Sequence, residues 1–309
     1  MRVCFMGTPD FAASVLERVA EEHEIVLVVT QPDRVNGRGG KVTVSDVKAW
    51  AIEHDVPVFQ PEKIRKPEAI EELKKYDFDI AVVAAFGQIL PPAVLDMPKY
   101  GCVNVHASLL PRYRGAAPIQ WAVINGDKET GVTTMQMGPG LDDGDILLQE
   151  TVPISPDETG GSLFDKLAVT GGKLILKTLS GIEAGTIKPR KQDETAATHV
   201  GMIRKDMGNL DFTRSAAELE RLVRGLNPWP SAYTFLDGKM LKIWKAEVCK
   251  KNNDAAPGTC VREENDLYVA TGEGFLKFLE VQIEGKKRMA VSDFLRGHDI
   301  HTGYILGKN

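Results

Sequence analysis

Short apolar runs alternate with stretches of helical periodicity through roughly the first 180 residues, and this alternation is the strongest constraint on the fold. "RVCFMG" is followed by "FAASVLERVAEE", then come "EIVLVVTQ", "VPVFQ", "DIAVVAAF" and "CVNVH", with helical patterns between most of them. Continuous apolar strands need cover on both faces, and helical crossovers supply it when neighbouring strands run parallel. The pattern predicts an α/β domain with a doubly wound, mostly parallel sheet over residues 1–184. Thr8 reads as the cap of its first helix, with Pro9 and Asp10 in the first turn, and Ser45 as a cap further on.

At residue 185 the periodicity stops. The polar stretch "GTIKPRKQDETAATH" reads as a linker, 185–203. The remainder, 204–309, follows a different grammar: one helical pattern, "SAAELERLVRGL", and then short strands. Asp237-Gly238 between "AYTFL" and "KMLKIWKAEV" is a hairpin signal, because those residues accept the positive φ angles of a tight turn. A small OB-like β-barrel is expected there. Lys+Arg number 38 against 43 Asp+Glu, so any nucleic-acid contact must come from local patches rather than global charge. Lys239, Lys242, Lys245, Lys250 and Lys251 form one such patch, and Lys286, Lys287 and Arg288 another. Cys4, Cys102, Cys249 and Cys260 lack metal-type spacing and read as core residues in a reducing compartment. The longest apolar run, Ile80 to Phe86, is too short to cross a bilayer, and no signal-type segment follows Met1. A cytoplasmic monomer with no membrane association is expected.

The chemistry concentrates in "NVHASLLPRYRGAAP", residues 104–118. Strand alternation turns Asn104 and His106 to one side, at the carboxyl end where open α/β sheets bind ligands. The later loop "GLDDGD" supplies Asp142, Asp143 and Asp145, with glycines that let one carboxylate reach the imidazole. An amide that donates to a developing oxyanion, an imidazole that holds a proton and a carboxylate that orients it make a proton-handling set without a strong nucleophile. Cys102 shares the face of Asn104 and is the one alternative nucleophile. Arg112 and Arg114 are available to hold an anion, or are solvated surface groups. "GTPDFA" after the first strand lacks the G-x-G-x-x-G spacing, which argues against a nicotinamide-dependent dehydrogenase. "HDIH", residues 298–301, reads as a surface turn in preference to a metal site.

The stretch "NVHASLLPRYRGAAPIQWAVINGDKETGVTTMQM" with "GLDDGDIL" closely resembles the folate-dependent formyltransferases. "FMGTPDFAA", "TQPDRVNGRGGK", "FGQILP", "LNPWP" and "APGT" extend the resemblance along the chain, toward the members of that family that act on a charged initiator tRNA. The resemblance implies transfer of a formyl group from 10-formyltetrahydrofolate to the α-amino group of methionine on initiator Met-tRNA, in translation initiation and without a metal. It maps Asn104 onto the amide that polarises the formyl oxygen. His106 maps onto the group that stabilises the oxyanion and assists proton transfer, and Asp142 onto the carboxylate that orients it. It further implies that folate lies against Phe86, Gln88 and Leu90 and against Ser108, Leu109, Leu110 and Pro111. Arg34, Arg38 and Lys41 then belong to a loop entering the tRNA acceptor arm, and the C-terminal domain is tRNA-binding. The rivals are a formyltransferase acting on a small amine and a catalytically silent RNA-binding protein.

Overall fold

A computed structural model describes residues 1–36, 41–251 and 254–307. Two compact units result, the first comprising 1–118, 129–153 and 164–200, the second 119–128, 154–163 and 201–309. Two short segments expected in the first domain, 119–128 and 154–163, thus group with the second. Most of the segment expected to be a linker, up to Val200, groups with the first.

The elements of the first part of the chain are β1 (Arg2–Gly7), α1 (Asp10–Ala20), β2 (Glu24–Val29), β3 (Arg34–Asn36), β4 (Lys41–Thr43), α2 (Asp46–Glu53), β5 (Val58–Phe59), α3 (Pro67–Leu73) and β6 (Ile80–Ala84). They continue with α4 (Pro92–Leu95), β7 (Cys102–His106), β8 (Arg114–Gly115), α5 (Pro118–Asn125), β9 (Glu129–Gln136), β10 (Asp145–Pro153), α6 (Gly160–Glu183) and β11 (His199–Val200). Seven strands make one sheet in the order β10-β9-β7-β6-β1-β2-β5. Only β9 opposes its neighbours; the pairings of β1 with β2 and β6, of β6 with β7 and of β2 with β5 are parallel. Strands β6 and β7 are buried at every position, as expected of strands covered on both faces. From β1 the chain winds one way to β2 and β5, then returns to build β6 and β7 on the other side. The reversal opens a crevice beyond the carboxyl ends of β1 and β6, the usual ligand position in such sheets. Gly7 ends β1 there because a Cβ would lie 2.6 Å from that of Ala12.

Helix α1 begins one residue later than its sequence suggests, with Pro9 as the cap residue. The Thr8 hydroxyl instead accepts from the Gln31 backbone at 3.3 Å and donates to the Phe86 carbonyl at 3.5 Å, so it ties together the ends of three strands. Ser45 does cap α2, accepting from the Lys48 N–H at 3.2 Å.

In the second unit, α7 (Ala216–Gly225) precedes β12 (Ala232–Leu236), β13 (Lys239–Cys249), β14 (Cys260–Glu263), β15 (Asp266–Ala270), β16 (Phe275–Ile283), β17 (Met289–Ala290) and α8 (Val291–Gly297). Six strands form an antiparallel sheet in the order β12-β13-β16-β15-β14, with β17 on β16. The turn between β12 and β13 is Asp237-Gly238, at φ +49° and +74°, which joins the paired residues Leu236 and Lys239. Ser215 and Glu218 close a reciprocal capping box at the start of α7, and these bonds hold the Glu218 carboxyl down at about 2.

Candidate active site

Asn104 and His106 emerge on one side of β7, as alternation requires, and both are nearly buried. The Asn104 amide has no hydrogen-bond partner among the described residues, which leaves its N–H groups available to an incoming oxygen. The His106 ring is fixed. Its Nε2 lies 2.9 Å from the Tyr113 carbonyl, which can only accept, so Nε2 carries the hydrogen and Nδ1 is the atom that gains or gives a proton. Nδ1 faces Asp142 Oδ2 at 3.8 Å. That carboxylate oxygen also accepts from the Gly115 N–H at 2.8 Å, which holds it in place.

Of the three acids in the loop between β9 and β10, Asp142 is the one that faces the imidazole. Asp145 pairs with Lys191 at 2.9 Å, and Asp143 is exposed beside Gly140. Cys102 shares the strand face but lies in the core under α4, its thiol against the Val94 and Leu95 carbonyls. Burial pushes that thiol up to about 12, with Asp96 adding to the effect, so Cys102 is no nucleophile at neutral pH.

The segment after β6 turns alternate side chains inward. Phe86 and Leu90 are buried in the core, and the Gln88 amide is engaged with the Ile64 N–H at 2.7 Å and the Pro61 carbonyl at 3.1 Å. What faces outward is Ala85 at φ +44°, Gly87 at φ +79° and Ile89, which is 69% exposed. In "SLLP" the Ser108 hydroxyl donates to the Arg112 carbonyl at 2.7 Å, and Leu110 is buried with Met135 and Ile146. Leu109 and Pro111 are half-buried. Thr133 of β9 props this segment, donating to the Ser108 carbonyl at 2.7 Å and accepting from the Leu110 N–H at 3.1 Å.

Arg114 is not free to hold an anion. It is 4% exposed, and its guanidinium meets Glu194 at 2.7 and 3.0 Å and Gln192 at 2.9 and 3.0 Å. The guanidinium holds the Glu194 carboxyl below its usual range. Arg112 by contrast is exposed and lies over the Tyr113 ring at 5.1 Å. Arg34 and Lys41 fall in the paired strands β3 and β4, whereas Arg38 lies outside the described residues. His298 stacks on Phe294 and His301 meets Tyr304 edge-on, so both have aromatic partners; among the described residues no group of three metal-type ligands comes together.

The family model for formyl transferases matches residues 1–179, and the one for the formyl transferase C-terminal domain matches 202–299. A methionyl-tRNA formyltransferase of Agathobacter rectalis is 56% identical over 98% of both chains, and one of Caldanaerobacter subterraneus is 49% identical over 99% of this chain and all of that one. The chain belongs to the methionyl-tRNA formyltransferase family. The fold likeness reaches further. A sugar 3N-formyl transferase, WlaRD, crystallised with dTDP and 5-N-formyl-THF, superimposes with a TM-score of 0.67 at 19% identity, covering 93% of this chain and 99% of that one. An N-formyltransferase from Helicobacter canadensis, in complex with folinic acid and dTDP-3-aminofucose, gives 0.65 at 20% identity over 89% and 97%.

Proposed function

We propose that Asn104, His106 and Asp142 carry the transfer of a formyl group from 10-formyltetrahydrofolate to the α-amino group of methionine on initiator Met-tRNA. The observation that supports this most is the tautomer-fixed imidazole: Nε2–H on the Tyr113 carbonyl, Nδ1 toward Asp142, and on the same strand face the Asn104 amide, without a partner among the described residues. A free α-amino group titrates near ~8, so a usable fraction is neutral at physiological pH and can attack the formyl carbon directly. A site without a protein nucleophile suits that route.

As the new C–N bond forms, the formyl oxygen becomes an oxyanion, and the Asn104 amide donates to it. The proton shed by the amine passes to the Nδ1–Asp142 pair and from there to N10 as the C–N10 bond breaks, its electron pair going to N10. The pair ends as it began, and the protonated imidazole stabilises the oxyanion in between. Folate lies along the main chain of 85–90, where Phe86, Gln88 and Leu90 contribute backbone groups, and against Ser108 to Pro111. Arg34, Arg38 and Lys41 contact the acceptor end of the tRNA, and the lysine-rich hairpin of the second unit contacts phosphates.

Formyl transfer from 10-formyltetrahydrofolate, assayed with charged initiator tRNA, charged elongator methionyl-tRNA and a panel of small amines, tests the reading. Selective formylation of the initiator is expected. Transfer to a small amine alone would retain the three residues and overturn the acceptor.

A further inference from the structure

We infer that Gln192 and Arg114 are positioning residues for the transfer reaction, and that residues 190–200 are a strap holding the carboxylate and the imidazole in register rather than a passive tether. The inference rests on the role given to Asp142 above. Asp142 sits at φ +51°, in the left-handed region that Asp enters more readily than most residues but that local bonds must still select. The Gln192 side chain does the fixing: its single Nε2 donates to the carbonyls of both Asp142 and Gly144, each at 2.8 Å. One primary amide thus bridges the loop on either side of Asp143.

The amide is itself oriented. Gln192 Oε1 accepts from Nε and Nη2 of Arg114 at 3.0 and 2.9 Å, so its nitrogen must face the loop. Arg114 is in turn clamped by Glu194 through a bidentate pair. The next residue along from Arg114 is Gly115, whose N–H holds the Asp142 carboxylate. The strap and the carboxylate therefore share one short piece of chain.

The same strap governs the imidazole. Thr198 Oγ1 accepts from the Tyr113 N–H at 2.8 Å, and Tyr113, at φ +61°, offers the carbonyl that fixes Nε2 of His106. Strand β11 pairs with β8 in parallel, and the Val200 carbonyl passes so close that a Cβ on Gly115 would stand 2.5 Å from it. At its other end the strap is tied to β10 through reciprocal backbone bonds between Arg190 and Ile146, and the Arg190 guanidinium donates to Gln149 at 2.7 Å. Both positive-φ residues, Tyr113 and Asp142, thus take their support from 190–200.

The test is steady-state and single-turnover kinetics on Gln192→Ala and Glu194→Ala in the full chain, each also built into Asp142→Ala. Gln192→Ala is expected to lower kcat by about 10- to 100-fold, the scale of a misplaced catalytic group, while KM for both substrates and Tm stay close to wild type. Glu194→Ala, which leaves the buried Arg114 guanidinium to Gln192 and is therefore read with its Tm, is expected to lower kcat less, by a few-fold. In the Asp142→Ala background both substitutions should have almost no further effect. An unchanged kcat in Gln192→Ala, an equal loss in both backgrounds, or a loss matched by a fall in Tm would overturn the inference. Asp142→Ala alone separates the two levels: near wild-type turnover there removes the role of Asp142, whereas a slow Asp142→Ala beside a fast Gln192→Ala removes only the strap.

Discussion

The loops after β6 and β7 leave adjacent strands of one sheet, yet they offer ligands different things. After β7, side chains project: the His106 ring and the Ser108 hydroxyl are held by hydrogen bonds, and the Asn104 amide has no partner among the described residues. After β6, the side chains of Phe86, Gln88 and Leu90 turn into the body of the protein, and Ala85, Gly87 and Ile89 are left outward on a backbone shaped by positive φ at Ala85 and Gly87. The difference teaches how a two-substrate site divides its work. In the mechanism proposed above, the strand that handles protons is sensitive to side-chain identity, and the strand that cradles the donor is sensitive to backbone shape and to core packing beneath it.

Substitutions should separate the two loops. The largest effect is expected at the first: Asn104→Ala or His106→Ala should lower the single-turnover rate by about 10²- to 10³-fold, with Tm and folate affinity near wild type. Parallel loss of folate binding would erase the contrast. At the second loop, Phe86→Leu should cost about 1–3 kcal/mol of stability, read as a lowered denaturation midpoint, with little change in the rate of the surviving folded enzyme. Ile89→Ala, outward on the same segment, should do the reverse, raising KM for folate several-fold at constant Tm; an unchanged KM would place the donor elsewhere.

The smallest effect is expected in the second unit and calibrates the others. Glu218 has its carboxyl lowered to about 2 by the capping box, so its contribution is complete above its ordinary value of 4.5 and is lost as pH falls through about 2. Glu218→Gln should therefore be less stable than wild type at pH 7, by no more than about 1 kcal/mol because solvent screens a side chain 40% exposed, with the gap closing in acid, and should leave turnover unchanged. A gap that widened in acid would contradict the sign.

The sheet was legible because burial on both faces writes itself into continuous apolar runs, and Asp237-Gly238 marked its hairpin through backbone chemistry alone. Asn104 and His106 were legible as a pair because strand alternation is strict. Phe86 and Leu90 were visible as apolar residues of a strand end, but nothing in their spacing says that they point into the core. The strap was hidden entirely: Gln192, Thr198 and Arg114 act through long-range polar bonds, which leave no periodicity, and a polar aperiodic stretch reads as a linker. Thr8 misled for a related reason, since a threonine before a helix has the same composition whether its hydroxyl caps the helix or joins neighbouring strands.

The central claim is that His106 and Asp142 act on one proton as a unit. A double-mutant cycle of His106→Ala and Asp142→Ala, followed by single-turnover formylation of charged initiator tRNA at saturating 10-formyltetrahydrofolate, tests it directly. If the two share one proton, the double variant is no more than a few-fold slower than the slower single variant. Losses that multiply would mean that the two residues act independently, and the paired mechanism would fall.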